Sequence, residues 1–180
     1  MKQKLLFLIV SLLGTFTIFS QTTYYVRETG INAADRSGSE SEPFQTIQYA
    51  ITRCAASGDT IDALGTFITD NTTMTLNADK SISIVGHGPE LTIIQPAASI
   101  ELSTNRIFSI NNTKLVLKNL TARWGNVASS NGGIISCWQS ELFMDNVVFS
   151  DSKAIQGGAV HIAGTSAVPV TFNNCVFKNN

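Results

Sequence analysis

Apolar and polar residues alternate in three stretches of the C-terminal half of the chain, and the three share one pattern. Each reads apolar-x-apolar-x-Asn-apolar-x-apolar, and they lie at residues 115–122, 142–149 and 170–177. Their starts are 27 and 28 residues apart. A fixed period of this size is typical of a solenoid, in which each coil buries its apolar face only by stacking on its neighbours. The pattern therefore predicts stacked coils.

A second alternating run precedes each stretch, at residues 108–110, 135–137 and 160–162. Because side chains alternate across a strand, each coil presents fixed positions to the core. The predicted inward columns are Phe108/Ile135/Val160, Ile110/Cys137/Ile162, Leu115/Leu142/Val170, Leu117/Met144/Phe172, Leu120/Val147/Cys175 and Ala122/Phe149/Phe177. Every column is apolar, which predicts an all-β parallel β-helix and puts Cys137 and Cys175 in its core.

The asparagine of the shared pattern forms a column of its own, Asn119, Asn146 and Asn174. Asparagine tolerates the left-handed backbone that a tight corner requires. Parallel strands about 4.8 Å apart bring such amides within hydrogen-bonding reach of one another. We therefore expect a structural Asn ladder at these positions rather than a catalytic role.

One N-terminal stretch has helical instead of alternating spacing. Its apolar residues are Phe44, Ile47, Ala50, Ile51, Cys54 and Ala55. Pro43 suits a first helical turn, and Gly58 suits a left-handed C-cap. An amphipathic helix laid across the first coil would cover its open end. We predict a capping helix at about residues 43–57, with Cys54 on its buried face.

The first residues have the pattern of a secretory signal peptide. Two lysines precede an apolar run at residues 5–19, and Ser20 suits a cleavage point. The run is shorter than the roughly 20 residues needed to span a bilayer, which favours a cleaved signal over a membrane anchor. We expect a signal peptide at 1–20, one β-helix domain at 21–180, and a secreted or cell-surface protein without a membrane span.

Composition narrows the classes of function. Charged residues make up 14% of the chain and the formal net charge is −1. This balance predicts no nucleic-acid binding, because nothing could neutralise a row of phosphates. The three cysteines form no C-x-x-C pair, so small buried apolar residues are favoured over a metal site or a catalytic thiol. We expect no metal and no cofactor.

Two parts of the chain contain motifs of known groups. The N-terminal motifs are Tyr25-Val26 through Gly38, Pro43-Phe44-Gln45-Thr46-Ile47-Gln48-x-Ala50-Ile51 and Gly58-Asp59-Thr60-Ile61. The C-terminal motifs are Gly157-Gly158-Ala159-Val160 and Phe177-Lys178-Asn179-Asn180. The first part resembles the start of exported proteins of the pectate-lyase-like superfamily. The second resembles the repeats of polymorphic outer-membrane proteins, Gly-Gly-Ala-aliphatic followed by Phe-x-x-Asn, although the preceding coil lacks both the Ala and the Asn.

This resemblance implies a right-handed parallel β-helix, an all-β solenoid. It leaves the function open, since the same scaffold carries lyases, hydrolases, adhesins and autotransported surface proteins. Solenoids need a polar terminal cap, and Asn180 follows directly on a predicted strand. We therefore expect the chain to be the N-terminal part of a longer protein.

The outward positions contain few residues suited to chemistry. His161 lies on a coil face without an acidic partner in its column, and His87 lies in a Gly-Pro turn, which favours a turn residue. Trp124 and Trp138 fall outside the inward columns, and an exposed indole is a platform for a sugar ring. Arg123 flanks a loop between coils, where it could meet an anionic sugar. These residues, His87 excepted, are the carbohydrate-binding candidates, and no catalytic residue is predicted.

Two further outward features follow from the alignment. Asp145 lies beside Lys118 of the neighbouring coil, which predicts a surface ion pair. The alignment also predicts an outward apolar strip that is covered by a loop or by another chain; it consists of Phe143, Val148 and Val176.

The leading hypothesis from the sequence is an exported cell-surface or secreted scaffold for adhesion or polysaccharide binding, with a polysaccharide or cell-surface glycan as partner. The alternative is a polysaccharide lyase or glycoside hydrolase whose site lies mostly outside this stretch. A third possibility is a purely structural stalk for a downstream domain.

Overall fold

The computed structural model describes residues 21–55, 57–78, 80–165 and 167–180, so the predicted signal peptide lies outside the described residues. The elements in chain order are β1 (Thr23–Arg27), α1 (Ile47–Arg53), β2 (Ser57–Ile68), β3 (Met74–Leu76), β4 (Ser81–Gly86), β5 (Thr92–Gln95), β6 (Phe108–Asn111), β7 (Lys114–Arg123), β8 (Ile135–Trp138), β9 (Glu141–Ser150), β10 (Val160–Ala163), β11 (Val170–Asn173) and β12 (Val176–Lys178).

The strands form a parallel β-solenoid of about four turns, as the repeat predicts. The long sheet has the order β1-β2-β4-β7-β9-β11, and in addition β5 pairs with β2 and β7, while β12 pairs with β9. The short sheet has the order β10-β8-β6-β3. Consecutive strands within each sheet come from consecutive coils, so each coil is held by hydrogen bonds to the next.

The register of both sheets matches the predicted columns. Leu115 pairs with Leu142, and Leu117 pairs with Met144. In the short sheet, Phe108, Ile135 and Val160 stand in line, as do the residues two positions further along. The inward residues of β6 to β9 are buried and form one continuous core. The alternation of apolar and polar residues therefore determines the register, because a slip of one residue would turn each apolar side chain to solvent.

The columns continue into the first coils, where the sequence shows only scattered short runs. Met74 pairs with Phe108 in the short sheet, and Ile82 pairs with Leu115 in the long sheet. Both Met74 and Ile82 are buried. One hydrophobic core therefore extends from β1 to β9, and side chains of the last coil pack against it.

The helix is amphipathic, but it is shorter than predicted at both ends. It begins after Thr46, whose Oγ1 accepts a hydrogen bond from Tyr49 N at 3.2 Å, so Pro43 lies before the helix. A threonine at this position is a favoured N-cap. The helix ends at Arg53, and Gly58 lies in β2 instead of forming the C-cap. Cys54 is buried, as predicted.

Two side chains fix the chain where the helix ends. Lys80 Nζ donates to the carbonyl oxygens of Ile51 at 2.7 Å and Cys54 at 3.2 Å. The buried carboxylate of Asp59 accepts from Ala55 N at 2.6 Å. A cation on the last carbonyl groups complements the negative end of a helix. The Asp59 contact holds the end of the helix against β2, and the Lys80 contact holds it against the residue that precedes β4.

The asparagine column lies at a corner of the coil. Asn119, Asn146 and Asn174 have φ values of 53°, 54° and 51°. Asn146 Nδ2 donates to Asn119 Oδ1 at 3.0 Å. A left-handed backbone is uncommon outside glycine, and asparagine is among the residues that adopt it most readily. Each asparagine therefore turns the chain from the first to the second strand segment of its coil.

The last coil differs from the predicted core. Its inward side chains stand in the expected columns, but Ile162 is 43% exposed and Phe177 is 49% exposed. Among the described residues, no strand pairs with the outer side of this coil. Cys175, predicted in the core, is therefore only half-buried, whereas Cys137 is fully buried.

Candidate functional site

Trp138 and His161 share the outward face of the short sheet. In this face, Ser109, Ser136 and His161 form one row across three strands. The neighbouring row contains Asn111 and Trp138. We call these five residues the Trp138 face. It combines one indole ring with hydroxyl, amide and imidazole groups on a regular parallel sheet.

The alternation within β8 directs the indole of Trp138 to solvent. Ile135 and Cys137 fill the core, so Ser136 and Trp138 point outward, and Trp138 is 47% exposed. Its Nε1 donates to Oε1 of Gln139 at 3.1 Å. An indole this exposed leaves apolar area in contact with water, and its ring face is open to contact with a flat apolar surface.

Gln139 connects the indole to the next coil. It has a φ of 45°, so it forms the corner that follows β8. Its Nε2 donates to Thr165 Oγ1 at 2.7 Å. The Gln139 amide therefore touches the indole on one side and the following coil on the other, which restricts the orientation of the Trp138 side chain.

The other end of the Trp138 face borders a loop fixed by Arg106. Arg106 NH1 donates to the carbonyl oxygen of Asn131 at 2.8 Å, and NH2 donates to Ser130 Oγ at 2.7 Å. The Nδ2 atom of Asn131 lies 3.4 Å from His161 Nε2. An amide nitrogen donates, so Nε2 of the imidazole is the acceptor in this contact. His161 is therefore a polar surface group held by a loop.

Arg123 and Trp124 lie elsewhere, at the end of β7 in the long sheet. The Arg123 guanidinium carbon is 4.0 Å from the centre of the Trp124 ring, and Arg123 Nε donates to Gln95 Oε1 at 2.8 Å. One face of this indole is thus covered by a guanidinium of its own chain, which is a cation–π contact. The structure divides the four predicted residues into two separate pairs, and the Trp138 face has the more exposed ring.

A shallow cleft of about 190 Å³ adjoins Arg123. Lys178, Glu90 and Asp151 contribute charge to it, and Val148 of the predicted apolar strip lines it. Hydrogen bonds from Asn179 and Ser150 lower the pKa of the Asp151 carboxyl, and the nearby cations act in the same direction. The cleft contains both signs of charge and no residue of the Trp138 face.

The predicted ion pair between Lys118 and Asp145 is wrong. The two residues are neighbours in register, but Lys118 Nζ lies 5.3 Å above the centre of the Phe143 ring. No ion pair joins Lys118 to Asp145 in the described part of the chain. An exposed ion pair contributes little, so the aromatic ring competes with it. Lys118 of the same chain therefore lies over the ring of Phe143.

Three charged or titratable residues that the sequence does not bring together meet on the outward side of the first coils. Arg27 NH2 lies 2.8 Å from Asp62 Oδ1, and His87 Nε2 lies 2.9 Å from the same oxygen. His87, predicted as a turn residue, follows directly on β4. The contact could have been found from the pairing of β1 with β2, because that pairing places Asp62 beside Tyr25 on the outward side.

Two findings concern metals and membranes. In the described ranges, no three His, Cys, Asp or Glu side chains are grouped so that they could hold a metal ion. Burial raises the pKa of the Cys54 thiol to about 12, which makes it a poor ligand and a poor nucleophile. The helix that the structure describes is too short to cross a bilayer.

Comparison with known proteins gives no relative. No family model, no curated protein and no solved structure matches the chain. The case for a function therefore depends on the surface of the solenoid itself.

Proposed function

We propose that this protein is an exported β-helix scaffold that binds polysaccharide at the Trp138 face. The observation that carries the proposal is the exposed indole of Trp138 on a face whose other four members carry hydroxyl, amide and imidazole groups, with Ala163 beside the indole. An indole supplies a flat apolar surface for the face of a pyranose ring. The polar neighbours supply donors and acceptors for its hydroxyl groups.

The spacing of the solenoid supports a chain-like ligand. Neighbouring strands are about 4.8 Å apart, so Ser109, Ser136 and His161 repeat at that interval along the solenoid axis. This interval is comparable to the length of one sugar unit in an extended polymer. A polysaccharide lying along the axis would therefore meet a polar side chain at each of these three strands.

Export and surface location belong to the same proposal. The signal-peptide pattern of residues 1–20 supports secretion, and the low charge supports a glycan rather than a nucleic acid as partner. A rigid stack of coils suits adhesion, because it presents its outward face without the need to order a loop on binding.

The test is a pair of single tryptophan replacements. Trp138→Ala should weaken binding to a polysaccharide found by glycan array at least about 10-fold, as expected when a central aromatic contact is lost. Trp124→Asn removes the other indole and keeps a residue that tolerates the left-handed corner, so it should bind like the wild type. Titration calorimetry measures both.

Two results would contradict the proposal. If Trp138→Ala binds the polysaccharide like the wild type and Trp124→Asn loses binding, the binding site lies at the Arg123–Trp124 pair instead. Failure of the wild-type protein to bind any glycan or cell surface would favour a structural stalk.

A second candidate, glycan cleavage by a lyase or hydrolase, is favoured by the contacts among Arg27, Asp62 and His87. A histidine oriented by a carboxylate is the arrangement of a general base, and an adjacent arginine suits an anionic sugar. The same glycan incubations decide it. New reducing ends or unsaturated products that disappear with His87→Ala would support cleavage, and unchanged glycans would exclude it for the glycans tested.

A further inference from the structure

Arg106 lies on the outward side of the solenoid, directly before β6. Ile107 and Phe108 are both fully buried, so the alternation is interrupted there and Arg106 returns to the side of Ser109. Asn131 joins Arg106 to the Trp138 face, because its carbonyl oxygen accepts from Arg106 NH1 and its amide nitrogen contacts His161. The guanidinium of Arg106 therefore borders the Trp138 face.

This guanidinium is half-buried and has no counter-ion. Two of its five N–H groups donate to Asn131 O and Ser130 Oγ, and the other three have no acceptor in the part of the chain that the structure describes. The ion pairs among the described residues do not include Arg106. Burial lowers the pKa of the Arg106 guanidinium, as expected for a cation that loses hydration without a carboxylate beside it.

The free donors of Arg106 can be reached from outside. Its Nε makes no hydrogen bond within the described residues and keeps contact with solvent, and the bond from NH2 to Ser130 is exposed. The amide nitrogen of Asn131 is only weakly engaged, since it lies 3.4 Å from both Gln156 Oε1 and His161 Nε2. One ligand group could therefore accept hydrogen bonds from both Arg106 and Asn131.

The surroundings of Arg106 contain no negative charge that would repel an anion. Residues 124–134, the loop that Arg106 contacts, include no Asp or Glu, and neither does the Trp138 face. A planar guanidinium binds a carboxylate, sulfate or phosphate group through two parallel hydrogen bonds. Such a group would also compensate the charge that burial leaves without hydration.

We infer that the glycan bound at the Trp138 face is anionic, and that its carboxylate, sulfate or phosphate group binds Arg106 and Asn131. This inference rests on the proposed function. Trp138 lies two residues beyond Ser136 along β8, about 6.6 Å away, and the Arg106 loop borders the opposite side of the same row. A sugar over this row therefore has the indole on one side and the guanidinium on the other.

The probes are dextran and two lightly substituted forms of it, carboxymethyl-dextran and dextran sulfate, measured by titration calorimetry. Each anionic polymer should bind at least about 10-fold more tightly than dextran, as expected when hydrogen bonds to a charged group are gained. Equal binding of the two anionic polymers means that negative charge suffices, and tighter binding of one identifies the preferred group. Equal affinity for all three polymers, or no binding of either anionic polymer, would overturn the inference.

Three variants separate a binding role of Arg106 from a structural one. Arg106→Gln should lose the preference for the anionic polymers, but it also removes two hydrogen bonds to the loop. Arg106→Lys keeps the charge without the planar fork, so it should retain part of the preference. Arg53→Gln removes an exposed arginine at the end of α1 and should bind all three polymers like the wild type.

Trp138→Ala distinguishes failure of this inference from failure of the proposed function. It should weaken dextran and its anionic forms by the same factor, because the indole contacts the sugar ring and not the charge. Wild-type preference in Arg106→Gln, together with weaker binding by Trp138→Ala, would overturn the inference alone. Wild-type affinity in Trp138→Ala, together with loss of preference in Arg106→Gln, would contradict the Trp138 face and leave an anion site at Arg106.

Discussion

Replacing Phe149 by alanine is expected to lower the free energy of unfolding by about 3–5 kcal/mol, the range for a buried phenylalanine. Phe149 is fully buried in the column between Ala122 and Phe177. Its ring stacks on that of Phe177, with centroids 4.9 Å apart, and meets the edge of Phe172 at 6.3 Å. Ala122 is too small to fill the space that the ring would leave. Urea unfolding followed by circular dichroism measures the effect.

Phe143→Ala in the same strand is the matched control. Phe143 points outward and is only half-buried, so its loss should cost less than about 1.5 kcal/mol, well below the loss at Phe149. Equal losses of unfolding free energy in Phe143→Ala and Phe149→Ala would contradict the register, which buries one face of β9 and turns the other outward.

Replacing Gly133 by alanine is expected to cost at least about 3 kcal/mol, the upper end of the usual range for overpacking. An added Cβ would lie 2.0 Å from the carbonyl oxygen of Gly158 and 3.1 Å from that of Gly125. Both contacts are with the backbone of neighbouring turns, so relief requires the stack to open. The φ of Gly133 lies outside the left-handed region, so steric clash of the added methyl group is the only cause of the expected destabilisation.

Ser129→Ala, in the same loop and exposed, should leave the urea midpoint within experimental error of the wild type. A wild-type midpoint for Gly133→Ala would show that the coils are not in close contact at this loop. The neighbouring Gly132 has a φ of 73°, so glycine is required at the two positions of the Gly-Gly pair for different reasons. One permits a left-handed backbone and the other permits close approach of coils.

The repeat could be predicted from the sequence where the coils have equal length. Leu117 and Met144 are 27 residues apart and stand side by side. The repeat could not be detected in the first coils because their loops differ in length. Ile61, Ile84 and Leu117 share one column at intervals of 23 and 33 residues, which no fixed period detects. The same irregularity hides the contact between Asp62 and His87.

The candidate site was predictable only in part. Alternation in β8 indicates that Trp138 points outward, and the structure leaves it exposed. Alternation does not indicate that Arg123 covers the Trp124 ring, because that contact depends on side-chain rotamers at a corner. A cavity of about 320 Å³ beside the start of α1 could not be predicted from the sequence, since it depends on where the helix begins and on how the turn after β2 packs against it.

The register of the short sheet underlies both the core and the Trp138 face, and thiol cross-linking tests it most directly. In a Cys175→Val background, Ser109→Cys with Ser136→Cys places two thiols on adjacent strands about 4.8 Å apart. Ser109→Cys with His161→Cys places them two strands apart, at about twice that distance. A short bifunctional thiol reagent should cross-link the first pair rapidly and the second pair hardly at all. Equal rates for the two pairs, or no cross-link between positions 109 and 136, would contradict the stacked parallel coils.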